Sequence, residues 1–191
     1  MVVTIAVFAS GSGSNFARLV EVSQQEGWRV PVSVLICDRP GATVLERAER
    51  LGVPQHAFAP RTFSDKAAYE AAVRDVLRRY DVSWLVLAGY MRLIGPTLLD
   101  KFAGRIVNIH PSLLPSFPGK DAIGQALQHG VKVTGVTVHY VDAGMDTGPI
   151  IAQRAVSVAE TDSRETLTAK IQAVEHELYP EVIRRLIEET Q

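Results

Sequence analysis

The chain has 191 residues, with 20 Lys and Arg against 21 Asp and Glu and a formal charge of -1. That length suits one domain with a full core, and the balanced charge argues against a basic nucleic-acid surface or a polybasic membrane patch. No apolar stretch reaches the roughly 20 residues of a membrane span. The single Cys37 forms no internal disulfide. It ends an apolar run and reads as a buried small hydrophobe, with a reducing cytoplasm the simplest setting.

Residues 2–9 are apolar, lack a basic leader and run straight into glycines, which predicts a buried strand and not a signal peptide. A helix is expected over residues 15–25, with Phe16, Leu19, Val20 and Val22 facing inward, and a second strand over 30–37. Residues 43–51 read as a short helix closed by Gly52, and 53–58 as a weak strand. Ala68, Ala72, Val76 and Tyr80 fall at i+4 steps, joined by Val73 and Leu77, and predict an amphipathic helix over 64–80. Residues 84–88 are apolar throughout, as a central parallel strand buried on both faces requires. A brief helix with proline near its start follows at 96–102, then a strand at 105–109.

After Pro111 the alternation changes. Pro115 and Pro118 stiffen a loop, residues 121–129 read as a helix ended by Gly130, and 131–141 and 150–158 read as strands, the last with antiparallel pairing. Asp162 and Glu165 have capping-box spacing ahead of a closing helix whose stripe is Leu167, Ile171, Val174, Leu178 and Val182. Pro180 is expected to bend or divide that helix. With no internal repeat or long linker, the pattern predicts a single α/β domain over 1–191. Its sheet is expected to be mixed, mostly parallel and flanked by helices in a Rossmann-like arrangement.

Ser10-Gly11-Ser12-Gly13-Ser14-Asn15 joins the first strand to the first helix. Free N–H groups and the positive end of a helix attract an anion, and a phosphate is the natural guest. A dinucleotide fingerprint wants a third glycine where Phe16 stands, although Asp38 ends the second strand where a ribose-binding acid would lie. A Walker loop wants Gly-Lys-Ser or Gly-Lys-Thr, and Gly119-Lys120-Asp121 lacks the hydroxyl. A glycine turn without a ligand is the plain alternative.

Asn108 and His110 lie two apart at the end of an apolar run that Pro111 stops. Side chains two apart on a strand share a face, so an amide and an imidazole leave the sheet together where α/β folds place their chemistry. Asp142 and Asp146 follow on a glycine-rich loop. No nucleophilic Ser or Cys stands beside them, which suggests attack by the substrate's own nucleophile. Acyl transfer to an amine passes through an oxyanion, and Asn108 and a protonated His110 can both donate to it. An ordinary imidazole titrates near pH 6.5, so a carboxylate is needed to keep it charged. Asp146 fits that role and Asp142 competes for it. His139, beside Val138, reads as structural. Without an H-E-x-x-H or a CxxC pair, no metal site is expected.

Together, the 10–15 loop, Leu-Ala-Gly-Tyr-Met-Arg at 87–92, Asn-Ile-His-Pro-Ser-Leu-Leu-Pro at 108–115 and Gly-Met-Asp-Thr-Gly-Pro at 144–149 resemble the phosphoribosylglycinamide formyltransferase family of folate-dependent enzymes. The resemblance runs from about Val2 to Pro180. It implies formyl transfer from 10-formyltetrahydrofolate, a cosubstrate and not a tightly bound cofactor, to the amine of glycinamide ribonucleotide in purine (IMP) biosynthesis. It implies a catalytic trio of Asn108, His110 and Asp146. It implies ribonucleotide and phosphate contacts from Gly13, Ser14, Asn15, Gln172 and Glu175. The folate contacts it implies are Lys66, Met91, Arg92, Leu93, Ile94, Asn108, Asp142, Ala143, Gly144, Met145 and Asp146. Residues 1–100 would form a phosphate and ribonucleotide half, and 101–191 a catalytic and folate half. The implied partners are small molecules in the cytoplasm, with no nucleic acid, no membrane and no metal; a homodimer is compatible with it.

By pattern alone, Met91 and Leu93 are also readable as core packing, Lys66 as a solvated charge and Glu175 as a surface acid. One departure stands out. Some family members carry two histidines just after the Pro-Gly matching Pro118-Gly119, where this chain has Lys120-Asp121-Ala122-Ile123, so an accessory protonation switch is not expected there. Methionyl-tRNA formyltransferase carries a further C-terminal domain for RNA, for which 191 near-neutral residues are expected to leave no room. Formyltetrahydrofolate deformylase, which adds an N-terminal domain and delivers formyl to water, is the nearer alternative. An NAD-linked oxidoreductase using Asp38 and a non-catalytic phosphate-ligand sensor are alternatives of other classes.

Overall fold

Apolar runs become strands where both faces of a sheet can be covered. The computed structural model, which describes residues 4–189, has seven strands: β1 (Ile5–Ala9), β2 (Val32–Cys37), β3 (Gln55–Ala57), β4 (Trp84–Leu87), β5 (Ile106–His110), β6 (Val133–Tyr140) and β7 (Ile150–Ser157); β1 and β4 are buried along their whole length, whereas the edge strands β3 and β7 are mostly open to solvent. Val2 and Val3 of the expected first strand lie outside the described residues. The helices are α1 (Ser14–Gln25), α2 (Thr43–Arg50), α3 (Lys66–Arg79), α4 (Pro96–Leu99), α5 (Ala122–His129) and α6 (Arg164–Glu188). A turn of 3-10 helix at Pro60–Thr62 was not foreseen. Among the described residues no helix is long and apolar enough to cross a membrane.

The sheet order is β3-β2-β1-β4-β5-β6-β7. β1 to β5 run parallel, and β6 and β7 add antiparallel, as the changed pattern after Pro111 suggested. Side chains alternate along β1. Ile5, Val7 and Ala9 pack beneath Phe16 and Leu19 of α1 and Leu167, Ile171 and Tyr179 of α6. Ala6 and Phe8 pack against Tyr69, Val73 and Leu77 of α3 and Leu98 of α4. Both faces are therefore buried. β1 pairs with β2 on one side and β4 on the other, so successive connections leave in opposite directions and open a crevice at the carboxyl ends.

Two local expectations shift for physical reasons. The cap of α6 is Ser163 with Thr166, not Asp162 with Glu165. The Asp162 carboxylate is already taken by the Ala159 N–H, the Thr166 hydroxyl and Lys170. Pro180 does not divide α6, which is one helix through Glu188. Proline cannot donate to the carbonyl four residues back; that carbonyl, on His176, accepts instead from Arg18 Nε on α1 at 3.3 Å.

Candidate active site

The crevice is a cavity of about 770 Å³, within the range of small-molecule sites. Its floor begins at the glycine loop. Gly13 has φ +73, and a Cβ there would collide with the Val44 side chain, so the turn admits only glycine. No side chain caps α1, leaving its first N–H groups for an anion. Ser14 and Asn15 stand beside them on the wall, and Asn15 Nδ2 donates to Glu175 Oε2 at 2.9 Å across from α6. Burial pushes the Glu175 carboxyl up, partly opposed by that hydrogen bond. Gln172 lines the same side. Phe16 is fully buried in the helix–sheet contact, and Asp38 is buried without lining the cavity. Neither arrangement offers a dinucleotide its usual contacts.

The opposite wall follows β4. Met91, Arg92, Leu93 and Ile94 all line the cavity. Met91 is 58% exposed and Leu93 48%, which excludes core packing as the reason for either. The segment is held from behind. The Met91 N–H donates to Ser10 Oγ, the Gly95 N–H to the buried Glu70 carboxylate, and Arg92 stacks 5.6 Å from the Tyr69 ring centre. Met145, 52% exposed, faces in from the 142–146 loop. Asp142 and Gly144 line the cavity too; Ala143 and Lys66 do not.

The polar groups converge at the end of β5. His110 Nε2 donates to the Phe117 carbonyl at 2.8 Å, and its Nδ1 lies 3.4 Å from Asp146 Oδ2. The sequence aimed both Asn108 and His110 at an oxyanion; in the structure both ring nitrogens of His110 already face acceptors within the chain. Asn108 Nδ2 contacts His139 Nε2 at 3.1 Å, which leaves its second amide hydrogen without a partner among the described residues. Asp146 also accepts from the Gly119 N–H at 2.7 Å, and its Oδ1 lies 3.6 Å from His139 Nε2. Burial pushes the Asp146 carboxyl up, but His139, the Gly119 N–H and the positive charge of the two histidines outweigh it and hold the group below the usual carboxylate range.

Asp142 is spent elsewhere. Its Oδ1 accepts from the Gly144 N–H at 3.0 Å and the Thr147 hydroxyl at 2.7 Å, closing a local turn. Asp146 is thus the carboxylate that meets the histidines. It does so with φ +56, a left-handed conformation that Asp tolerates better than most residues.

His139 is the residue that sequence reasoning passed over. It is buried, and its Nδ1 donates to the Tyr140 carbonyl at 2.8 Å. Nε2 is therefore the node between amide and carboxylate: unprotonated it accepts from Asn108, and protonated it is paired by charge with Asp146. The only signal in the sequence is indirect. Antiparallel register sets His139 opposite Asn108, and strand pairing is not written in either strand alone. Arg39, Lys120, Asp121 and Arg164 also stand on the wall and were not anticipated there.

The arrangement can bind an anion at the helix N-terminus, hold an apolar group against Met91, Leu93 and Met145, and stabilise charge at the Asn108, His110 and Asp146 cluster. Residues 3–183 match the family described as Formyl transferase. The phosphoribosylglycinamide formyltransferase of Bacillus subtilis (strain 168) is 54% identical over 182 residues, covering 95% of this chain and 93% of its own length. The crystal structure of phosphoribosylglycinamide formyltransferase from Bacillus halodurans superposes with a TM-score of 0.94 at 55% identity, covering 98% of this chain and 97% of that one. Glycinamide ribonucleotide transformylase 1 from Geobacillus kaustophilus gives a TM-score of 0.94 at 55% identity over 97% of this chain and 99% of its own. With a family match over residues 3–183, 54% identity over 95% of the chain and the same fold, this chain belongs to the formyl transferase family.

Proposed function

We propose that this chain transfers a formyl group from 10-formyltetrahydrofolate to the primary amine of glycinamide ribonucleotide, a step of purine biosynthesis. One observation carries the reading. An open helix N-terminus and the Asn108, His110, His139 and Asp146 cluster share a single cavity, so a phosphorylated amine anchored at one reaches a formyl group at the other. The phosphate sits at Gly13, Ser14 and Asn15, and the sugar passes Gln172 and Glu175. The folate lies along Met91, Arg92, Leu93 and Ile94 against Asp142, Gly144 and Met145.

The amine lone pair attacks the formyl carbon, a C–N bond forms and the carbonyl electrons move to oxygen. Asn108 donates its free N–H to that oxyanion. Asp146, a carboxylate at neutral pH, supports positive charge on His110 and draws the surplus proton from the new ammonium through water. Collapse restores the carbonyl, breaks the bond to the folate nitrogen and returns a proton to it. Folate is consumed each turnover as a cosubstrate. The setting is the cytoplasm, with small molecules as partners. The division at residue 100 is blurred in the cavity, where residues 91–94 and Glu175 each serve the other half's ligand.

The test is release of tetrahydrofolate from 10-formyltetrahydrofolate with and without glycinamide ribonucleotide. Release that requires the ribonucleotide, with formylglycinamide ribonucleotide as product, is expected. Release at equal rate without it would make water the acceptor and the chain a deformylase, and no release would end the reading.

A further inference from the structure

From Phe117 to Asp121, the chain leading into α5 is tied down at every second residue. Phe117, Gly119 and Asp121 are all left-handed, with φ +53, +77 and +59. For residues other than glycine that conformation is strained, so contacts from outside must hold it. The Phe117 carbonyl accepts from His110, and the Gly119 N–H donates to Asp146. Asp121 takes both prongs of Arg164, Nη1 to Oδ1 at 2.6 Å and Nη2 to Oδ2 at 2.9 Å. The first two contacts set His110 and Asp146 against each other. The third fixes the far end of the segment to the first residue of α6.

Locally, Arg164 is misplaced. A cation at a helix N-terminus opposes the helix dipole, whereas Asp121 caps α5 favourably and accepts from the Gly124 N–H at 3.3 Å. The carboxylate offsets the guanidinium, and both stand on the cavity wall. Their side chains are 61% and 53% exposed, so the pair adds little to global stability. What a two-pronged Arg–carboxylate contact supplies is direction and distance.

We propose that Arg164 and Asp121 are positioning residues: their ion pair anchors the 117–121 strap to α6 and thereby sets the alignment of His110 with Asp146. The inference rests on the formyl-transfer reading for its activity assay but names residues that reading leaves idle. It also gives Asp121 a role that involves no proton.

The test compares Arg164→Met, which keeps length without charge, and Asp121→Asn, which tolerates the left-handed backbone and can still cap α5. In steady-state formyl transfer by the full chain, each is expected to lower kcat about tenfold with both KM values within about twofold, the pattern of misaligned chemistry. The double variant is expected to be no slower than the slower single one, since both remove one contact. Arg164→Lys, a point charge without the fork, is expected to recover only part of the rate. A kcat within twofold of wild type in both variants would overturn the proposal, as would a raised ribonucleotide KM at unchanged kcat, the mark of a substrate contact. A second readout needs no turnover. The imidazole nitrogen resonances of His110 are expected to move in both variants and to return toward wild type in Arg164→Lys; unmoved resonances would overturn the strap. A wild-type chain without formyl transfer would sink the functional reading while leaving the resonances to decide this one.

Discussion

Replacing Asp146 by Asn removes one charge from the centre of the site and changes little else. The amide has nearly the same shape, tolerates φ +56 and can still accept from the Gly119 N–H. What is lost is the attraction between a carboxylate and positive charge on His110, whose Nδ1 lies 3.4 Å away. At an effective dielectric of 20 that attraction is about 4–5 kcal/mol. An amide hydrogen bond in its place returns about 1 kcal/mol. The net loss of about 3–4 kcal/mol corresponds to a fall in kcat of about 10²- to 10³-fold. The assay is tetrahydrofolate release at saturating substrates, run beside urea unfolding to show that the variant is folded. The unfolding data carry a second check. Because the folded chain holds the Asp146 carboxyl below its ordinary range, its stabilising effect is fully present above the unfolded value of about 3.9. It fades as pH falls through the folded value. The stability gap between wild type and Asp146→Asn is therefore expected at pH 7 and expected to close on acidification. A folded variant with kcat within tenfold of wild type, or a gap that widens in acid, would refute the reasoning.

Asn15→Ala is expected to raise the ribonucleotide KM about tenfold, the scale of one lost hydrogen bond to a charged group, with the folate KM unchanged. Steady-state kinetics with each substrate varied decide it, and a larger rise for folate would place the anion elsewhere. Glu175 titrates in the opposite sense to Asp146. Its carboxyl is raised by burial, so the folded chain binds the extra proton and stability declines as pH rises from the unfolded value of about 4.3 toward the folded one. Glu175→Gln keeps an acceptor for Asn15 and removes that decline. Urea unfolding is expected to show the variant gaining on wild type between pH 4 and pH 7, and a constant difference would contradict the assignment.

The chain's own letters determined most of the helices and strands, because the periods 2 and 3.6 are local; the 3-10 turn at Pro60–Thr62 and the early end of α4 at Leu99 were not among them. They also placed a glycine turn between the first strand and the first helix, and Asn108 and His110 two apart at the end of one strand. Other features were decided only when distant segments met. Whether Asp142 or Asp146 faces the histidines depends on which of them the local turn consumes. Thr147 and the Gly144 N–H take Asp142, and the left-handed bend at Asp146 delivers the other. His139 became part of the site through antiparallel register with Asn108, a relation between two strands that neither encodes. Arg164 met Asp121 across 43 residues of chain, and the cap of α6 moved by one residue because Asp162 was already bonded. Backbone preference acts over a few residues, whereas hydrogen-bond partners are chosen by proximity in space. The first is legible along a line of amino acids; the second exists only after the sheet has set its strands side by side.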